Sequence, residues 1–128
     1  MKQSIATKNA PAAIGPYSQA VKTGNIVFLS GQLGINPETG TFVPGFVVEQ
    51  TEQIFTNIKA VLTEANLTLN NVVKTTVFLS DMADFAAMNE VYAKHFKEPY
   101  PARSAVAVKT LPKNALVEIE VIAIDNPE

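Results

Sequence analysis

Arg103 is the only arginine of the chain, and it follows Pro101-Ala102 at the start of a predicted strand. A guanidinium group can form two parallel hydrogen bonds to a carboxylate, so an arginine at a strand end suits the anchoring of an acid substrate. The ordinary alternative is a surface arginine or one half of a structural ion pair. Because every task that needs a guanidinium falls to this residue, we take Arg103 as a candidate binding residue.

Glu118 and Glu120 lie two residues apart in a segment that is otherwise apolar. In a strand this spacing places both side chains on one face. A partly buried carboxylate has a raised pKa, which suits general acid–base catalysis. The alternatives are a solvated sheet edge, or salt bridges to Lys74 or Lys109.

Other residues are candidates on weaker grounds. Ser30-Gly31 lies inside an apolar strand pattern, which indicates a β-bulge or a point where a ligand approaches the backbone. Tyr17 lies in a loop rich in proline and glycine, and Asn89 lies on the apolar side of a predicted helix. His95 has no neighbouring nucleophile or metal ligand, so we expect a packed or surface histidine.

The composition excludes several kinds of site. The 128 residues include no cysteine and one histidine, so thiol catalysis and multi-histidine metal sites within one chain are excluded. We expect no metal and no cofactor. Ten basic residues against twelve acidic ones give a net charge of −2, which argues against nucleic-acid binding. No apolar run approaches the ~20 residues of a membrane span, and no secretory signal pattern begins the chain, so we expect a cytoplasmic protein.

Periodicity predicts an α+β domain that spans residues 1–128. Apolar positions recur at helical spacing from 47 to 65, and a second helix runs from Phe85 to Phe96, before the Pro99-Tyr100-Pro101 block. Strands rich in β-branched residues are predicted at Ile26–Leu33, Val72–Leu79, Arg103–Val108 and Ala115–Ile124, with shorter strands at Gln3–Thr7 and Ser18–Lys22. A turn is predicted at Asn36–Gly40. The sheet is therefore mixed, with five or six strands.

Two helices can cover only one face of such a sheet, yet its strands carry apolar side chains on both faces. Ile26 and Phe28 alternate with Val27 and Leu29, for example. A second apolar face of this size would be a large exposed patch. We therefore expect other subunits to cover it in a homo-oligomer.

Taken together, the motifs resemble those of the RidA family, also called the YjgF family of reactive-imine deaminases. The match runs nearly end to end and in the same order. It comprises Ala10–Ala20 (APAAIGPYSQA), Ser30-Gly31-Gln32, Val73–Phe78, Asp84–Tyr92, Pro101–Ser104, Leu111-Pro112-Lys113 and Val117–Glu120.

The resemblance implies a chorismate-mutase-like fold, in which three subunits pack their sheets into a barrel with clefts between neighbours. It implies hydrolysis of 2-imino acids such as 2-iminopropanoate and 2-iminobutanoate to the 2-keto acid and ammonia. These imines derive from the enamines that pyridoxal-phosphate-dependent dehydratases release.

The resemblance also assigns roles to the candidate residues. Arg103 would hold the substrate carboxylate, and Glu118 would activate water and move protons. Tyr17 and Asn89 would shape the cleft. Gly31 and the backbone around Ala105 would approach the ligand, and many relatives have cysteine where this chain has Ala105.

Three other interpretations stay open. The chain could be a trimeric regulatory module that binds small carboxylates without turnover, because the same Arg103 would serve both functions. Some animal relatives are credited with ribonuclease or translation-inhibitor activity, although the acidic pI near 5.4 argues against that here. Finally, the chain could belong to a branch that lacks deaminase activity, against which the pair of Arg103 and Glu118 argues.

Overall fold

The computed structural model describes residues 1–126, in which six strands form one mixed sheet. Its order is β1-β2-β3-β8-β6-β7, and only the β6–β7 pair is parallel among these described strands. The strands are β1 (Lys2–Ile5), β2 (Ala20–Thr23), β3 (Ile26–Gln32), β6 (Val72–Leu79), β7 (Ala102–Ala107) and β8 (Val117–Ile124). The predicted mixed α+β sheet is confirmed.

The helices α1 (Val47–Glu64) and α2 (Phe85–His95) pack together and against the same side of the sheet. Both agree with the predicted helices to within one residue at each end. The predicted turn at Asn36–Gly40 is confirmed, because the Gly40 N–H donates to the Asn36 carbonyl at 2.8 Å. Two short strands that were not predicted, β4 (Ile35–Asn36) and β5 (Thr41–Phe42), flank this turn as a hairpin.

The predicted strand ends near the N-terminus were wrong by up to two residues. The first strand stops at Ile5, because the Thr7 N–H turns away and donates to Gln19 Oε1 at 2.6 Å. Regular pairing of the next strand begins only at Ala20. Likewise β8 begins at Val117 rather than Ala115, since the Leu116 N–H donates to Gln50 Oε1 of α1 at 3.0 Å.

Side chains along β8 alternate strictly between the two faces of the sheet. Val117, Ile119 and Val121 are buried beneath the helices. Glu118 and Glu120 therefore project from the opposite face, which carries no helix of the described chain and which we call the open face. The open face has apolar side chains as well, as predicted: Phe28 of β3 is 44% exposed and Val106 of β7 is 45% exposed.

A buried amide of α1 fixes the loop that follows β3. Asn57 is fully buried, and its Nδ2 donates to the carbonyls of Leu33 at 3.1 Å and Ile35 at 3.0 Å. Its Oδ1 accepts from Gln53 Nε2 at 2.9 Å, so both ends of the amide are satisfied. These hydrogen bonds tie the loop to the helix.

We expect Asn57→Ala to destabilise the fold by about 2 kcal/mol, because it removes the two hydrogen bonds from the buried amide to the carbonyls of Leu33 and Ile35. This loss corresponds to a fall of roughly 8 °C in Tm, which calorimetry would measure. Thr56→Ala, one position along on the exposed side of α1, is the control and should stay within about 0.5 kcal/mol of the wild type. Equal Tm values for both variants would contradict the assigned role of Asn57.

Candidate active site

Glu118 is the half-buried carboxyl group of the open face. It lies between the fully buried residues Val117 and Ile119 on β8. Burial raises the pKa of Glu118, and the nearby charge of Glu120 raises this pKa further. Neither predicted salt-bridge partner forms an ion pair with it in residues 1–126; Lys74 Nζ instead lies 3.3 Å from Ser104 Oγ. A carboxyl group with this environment can exchange protons at a higher pH than a free glutamate.

The Glu118 side chain lines a cavity of about 650 Å³. Of the residues predicted for the site, Tyr17, Ser30 and Gly31 line the same cavity. Lys113 adds a positive charge to the wall, and it has a φ of 57°, a conformation uncommon for residues with a side chain. The remainder of the wall is largely apolar and rich in proline. Such a mixture is typical of a small-molecule pocket.

The predicted irregularity at Ser30-Gly31 is a β-bulge between β3 and β8. Leu29 pairs with Val121 and Gln32 with Ile119, so β3 has one residue more than β8 in this interval. Ser30 Oγ donates to the Ser18 carbonyl at 2.6 Å, and the Ser30 N–H donates to the Gln19 carbonyl at 3.0 Å. The bulge therefore fixes the loop before β2 against the cavity.

The loop that carries Tyr17 is held by one buried glutamine. Gln19 Nε2 donates to the carbonyls of Thr7, Ala10 and Pro11 at 3.1, 3.3 and 2.7 Å. The aromatic ring of Tyr17 is about half exposed at the cavity. The alternative of core packing for Tyr17 is therefore wrong.

Arg103 lies on β7, at the edge of the sheet, and is oriented by α2. Its Nη1 donates to Asn89 Oδ1 at 2.6 Å. The guanidinium carbon lies 4.7 Å from the ring centroid of Tyr92 and 5.4 Å from that of Phe85. These are cation–π distances, so two aromatic rings and one amide fix a guanidinium that is otherwise exposed.

Arg103 and Glu118 lie on opposite faces of the sheet within one chain. Arg103 pairs with Thr75, which is buried under the helices and contacts Tyr92 through a 2.8 Å hydroxyl–hydroxyl hydrogen bond. Glu118 instead pairs with Phe78, on the open face. The register also separates the two residues by about 10 Å along the strands and about 10 Å across them. One chain therefore does not bring the two predicted catalytic residues together.

Two further candidates are placed by the same topology. Ala105 pairs with Val77 and so shares the helix side with Arg103, away from the cavity. The His95 ring stacks on Phe55 with centroids 4.3 Å apart, and its Nε2 lies 2.9 Å from Glu52 Oε1. Of the two expected environments, packed or surface, the structure shows a packed histidine.

Comparison with known proteins identifies the family. The family model described as "Endoribonuclease L-PSP" matches residues 7–125. A RutC family protein of Pyrococcus horikoshii is 57% identical over 96% of this chain and 98% of its own length. A 2-iminobutanoate/2-iminopropanoate deaminase of Capra hircus is 50% identical over 99% of this chain and 93% of its own length. The crystal structure of RidA from an Antarctic Psychrobacter is 55% identical, with a TM-score of 0.91 over 95% of this chain and 98% of that one.

The chain belongs to the RidA family. The family and fold expected from the sequence motifs are thereby confirmed. Within residues 1–126 of this RidA family member, no group of three or more acidic or histidine side chains is arranged to hold a metal ion. None of the helices in that range combines the length and apolar character needed to cross a membrane.

The sequence analysis missed the residues that support this RidA-type site. Phe85 was used only to mark the start of the second helix, and Tyr92 was given no role, although their spacing with Asn89 places all three on one helix face. That pattern, together with the single arginine of the chain, was the signal from which the support of Arg103 by this helix could have been predicted. Lys113 was noted only as part of a motif, and nothing local to it indicated a cavity.

Burial of Glu118 predicts a pH-dependent effect of Glu118→Gln on stability. The folded-state pKa lies above the unfolded one, so the stability contribution is complete below the unfolded pKa of about 4.3 and is lost as pH rises through the folded pKa. Glutamine keeps the shape of the side chain but cannot ionise, so the variant does not lose this stability as the pH rises. We expect the variant to have a higher Tm than the wild type at pH 7 and an equal Tm near pH 4.

Glu38→Gln, at an exposed glutamate, is the matched control and should give the same small difference in Tm at both pH values. A difference for Glu118→Gln that did not grow between pH 4 and pH 7 would contradict the burial argument.

Proposed function

We propose that this protein hydrolyses small 2-imino acids, such as 2-iminopropanoate and 2-iminobutanoate, to 2-keto acids and ammonia. The reaction would take place in clefts between the subunits of a homotrimer. The observation that carries the proposal is Glu118, a half-buried carboxyl group with a raised pKa at the wall of a cavity. The name of the Capra hircus relative, at 50% identity, supports the same chemistry.

The separation of Arg103 from Glu118 supports a site between subunits. Each residue has the environment that its role needs, but the two lie on opposite faces of one sheet. Arg103 is exposed on the edge strand β7, so the open face of a neighbouring chain would meet the guanidinium where Asn89 and the two rings hold it. The exposed apolar side chains Phe28 and Val106 favour burial of that open face against another subunit. Three copies would repeat the same contact around a closed ring.

The residues suffice for each step of the reaction. Arg103 holds the substrate carboxylate, which places the protonated imine carbon near Glu118. Glu118 accepts a proton from the attacking water as the C–O bond forms, which gives a carbinolamine. It then returns the proton to nitrogen and accepts the hydroxyl proton as the C–N bond breaks. Iminium and water thus become keto acid and ammonium, with no oxidant or reductant involved.

The protonated imine is already electrophilic, so the proposed reaction needs neither a metal nor an organic cofactor. Positioning and one proton-transferring group supply the catalysis. Tyr17, Ser30 and Gly31 would contact the ligand from the Glu118 side. Asn89 and the backbone at Ala105 would do so from the Arg103 side of the neighbouring subunit.

A regulatory module that binds small carboxylates is the second candidate, because the Pyrococcus horikoshii relative is named by family alone. Such a protein would use Arg103 in the same way but would have no need for a buried proton-transferring carboxyl. Turnover of freshly generated imine therefore separates the two functions. A threonine dehydratase reaction supplies the imine, and the release of ammonia and keto acid is followed with and without the protein.

We expect Arg103→Lys to lose activity because an ammonium cannot form two parallel hydrogen bonds. The loss is on the order of 2–4 kcal/mol, a rate factor of roughly 30 to 1,000.

Glu118→Gln should bind pyruvate but turn imine over slowly. Glu120→Gln, at an exposed residue on the same face, should lose less activity. Single-turnover imine decay and calorimetric pyruvate binding measure both effects. Wild-type rates in both Arg103→Lys and Glu118→Gln would favour the regulatory module.

Mixing the two weak variants tests whether neighbouring subunits share the site. Sedimentation equilibrium should first give a mass three times 13.8 kDa for each protein. When Arg103→Lys and Glu118→Gln chains are unfolded together and refolded, each mixed trimer contains one interface with both native residues. Activity should then rise to about a quarter of the wild-type value. A stable monomer, or a mixture no more active than its components, would contradict a shared site.

A further inference from the structure

We infer that Gly31 is a positioning residue whose missing side chain leaves room for the carboxylate of Glu118. The inference rests on the proposed function for its kinetic consequence, but its structural content can be tested without turnover. It concerns why a glycine stands at the β-bulge beside the cavity.

Backbone conformation does not explain this glycine. A bulge commonly uses glycine because the residue adopts a positive φ. Gly31 is not among the residues with a positive φ in the described chain, whereas Gly15, Gly24, Gly40 and Gly45 are. A positive φ is therefore not the reason for glycine at position 31.

The space available at position 31 explains the glycine instead. A Cβ atom built on Gly31 would overlap Glu118 Oε2, and it would lie 2.9 Å from Cδ and 3.1 Å from Cγ of the same side chain. All three of these nearest atoms belong to Glu118, so the closest contacts of a methyl group at position 31 would be with this side chain. The Glu118 side chain lies directly across the surface of the bulge.

We expect a side chain at position 31 to displace the Glu118 carboxylate and to leave the fold intact. The end of a glutamate side chain can rotate to another rotamer at small cost. We expect a rotation away from Gly31 to move the carboxylate out of its half-buried position at the cavity wall. Its pKa then returns towards that of an exposed glutamate, and its distance from the reacting carbon increases.

Gly34 provides an internal contrast. A Cβ atom there would lie 2.7 Å from Gln50 Cα and 2.9 Å from the Gln50 carbonyl oxygen. These are atoms of the helix backbone in α1, which cannot rotate away. We expect Gly34→Ala to lower Tm, whereas Gly31→Ala should keep the Tm and lose activity.

The test is a double-mutant cycle with Gly31→Ala, Glu118→Ala and the double variant. Gly31→Ala should lower kcat about 10- to 100-fold, because a displaced general base is impaired. In the Glu118→Ala background, the same substitution should cost less than about twofold, since no carboxylate remains to be displaced. Losses that multiply, or a wild-type rate in Gly31→Ala, would overturn the inference.

An NMR titration of the Glu118 carboxyl carbon separates this inference from the proposed function. We expect the pKa of Glu118 to be lower in Gly31→Ala than in the wild type, whether or not imine is the substrate. An unchanged pKa of Glu118 would overturn the positioning role even if the wild type hydrolyses imines.

A wild type that does not hydrolyse imines would refute the proposed function. The titration would then still decide the role of Gly31. If Gly31→Ala alone fails to fold, a folded double variant would support the steric relation, and an unfolded one would refute it.

Discussion

The alternation of side chains along β8 is the constraint on which the site depends. Four residues of this strand face the helices and are almost completely buried: Val117, Ile119, Val121 and Ala123. A one-residue slip would move all of them to the open face and bury two carboxylates under α1, so the register is strongly fixed. The register therefore fixes the position of Glu118 on the open face, where partial burial raises its pKa. The same two-residue period therefore determines both the hydrophobic core and the position of the half-buried carboxyl group.

Buried amide side chains hold the loops around the cavity in fixed positions relative to the sheet and the helix α1. Gln19 binds the carbonyls of the N-terminal loop, Asn57 binds those of the loop after β3, and Gln50 accepts from the backbone just before β8. Each side chain is largely or fully buried, so loss of its partners would cost more than an exposed hydrogen bond. A rigid core thus gives defined positions to segments that have no regular secondary structure.

Period and composition were enough to predict the helix α1, the central strands and the faces of Glu118 and Glu120, because these features depend on local spacing. The β-bulge at Ser30-Gly31 was also predictable, since glycine interrupts an apolar strand. Strand order was not, because it depends on long-range pairing that no local pattern encodes. As a result, the sequence could not tell that Arg103 faces the helices while Glu118 faces away. The amide contacts of Gln19 and Asn57 were hidden for the same reason, as their partners lie in other segments.

The placement of Arg103 has a physical reason beyond ligand binding. Under the proposed assembly, a guanidinium on the open face would be buried against an apolar surface of another subunit, with a large desolvation cost. On the edge strand it keeps contact with water while Phe85 and Tyr92 cover its faces and Asn89 accepts one of its hydrogens. The remaining N–H groups stay available to a carboxylate. In one chain the guanidinium is therefore exposed at the edge of the sheet, while the half-buried carboxyl group lies at the cavity wall. Under the proposed assembly, association brings the guanidinium of one subunit to the carboxyl group of another, so that catalysis depends on the oligomer.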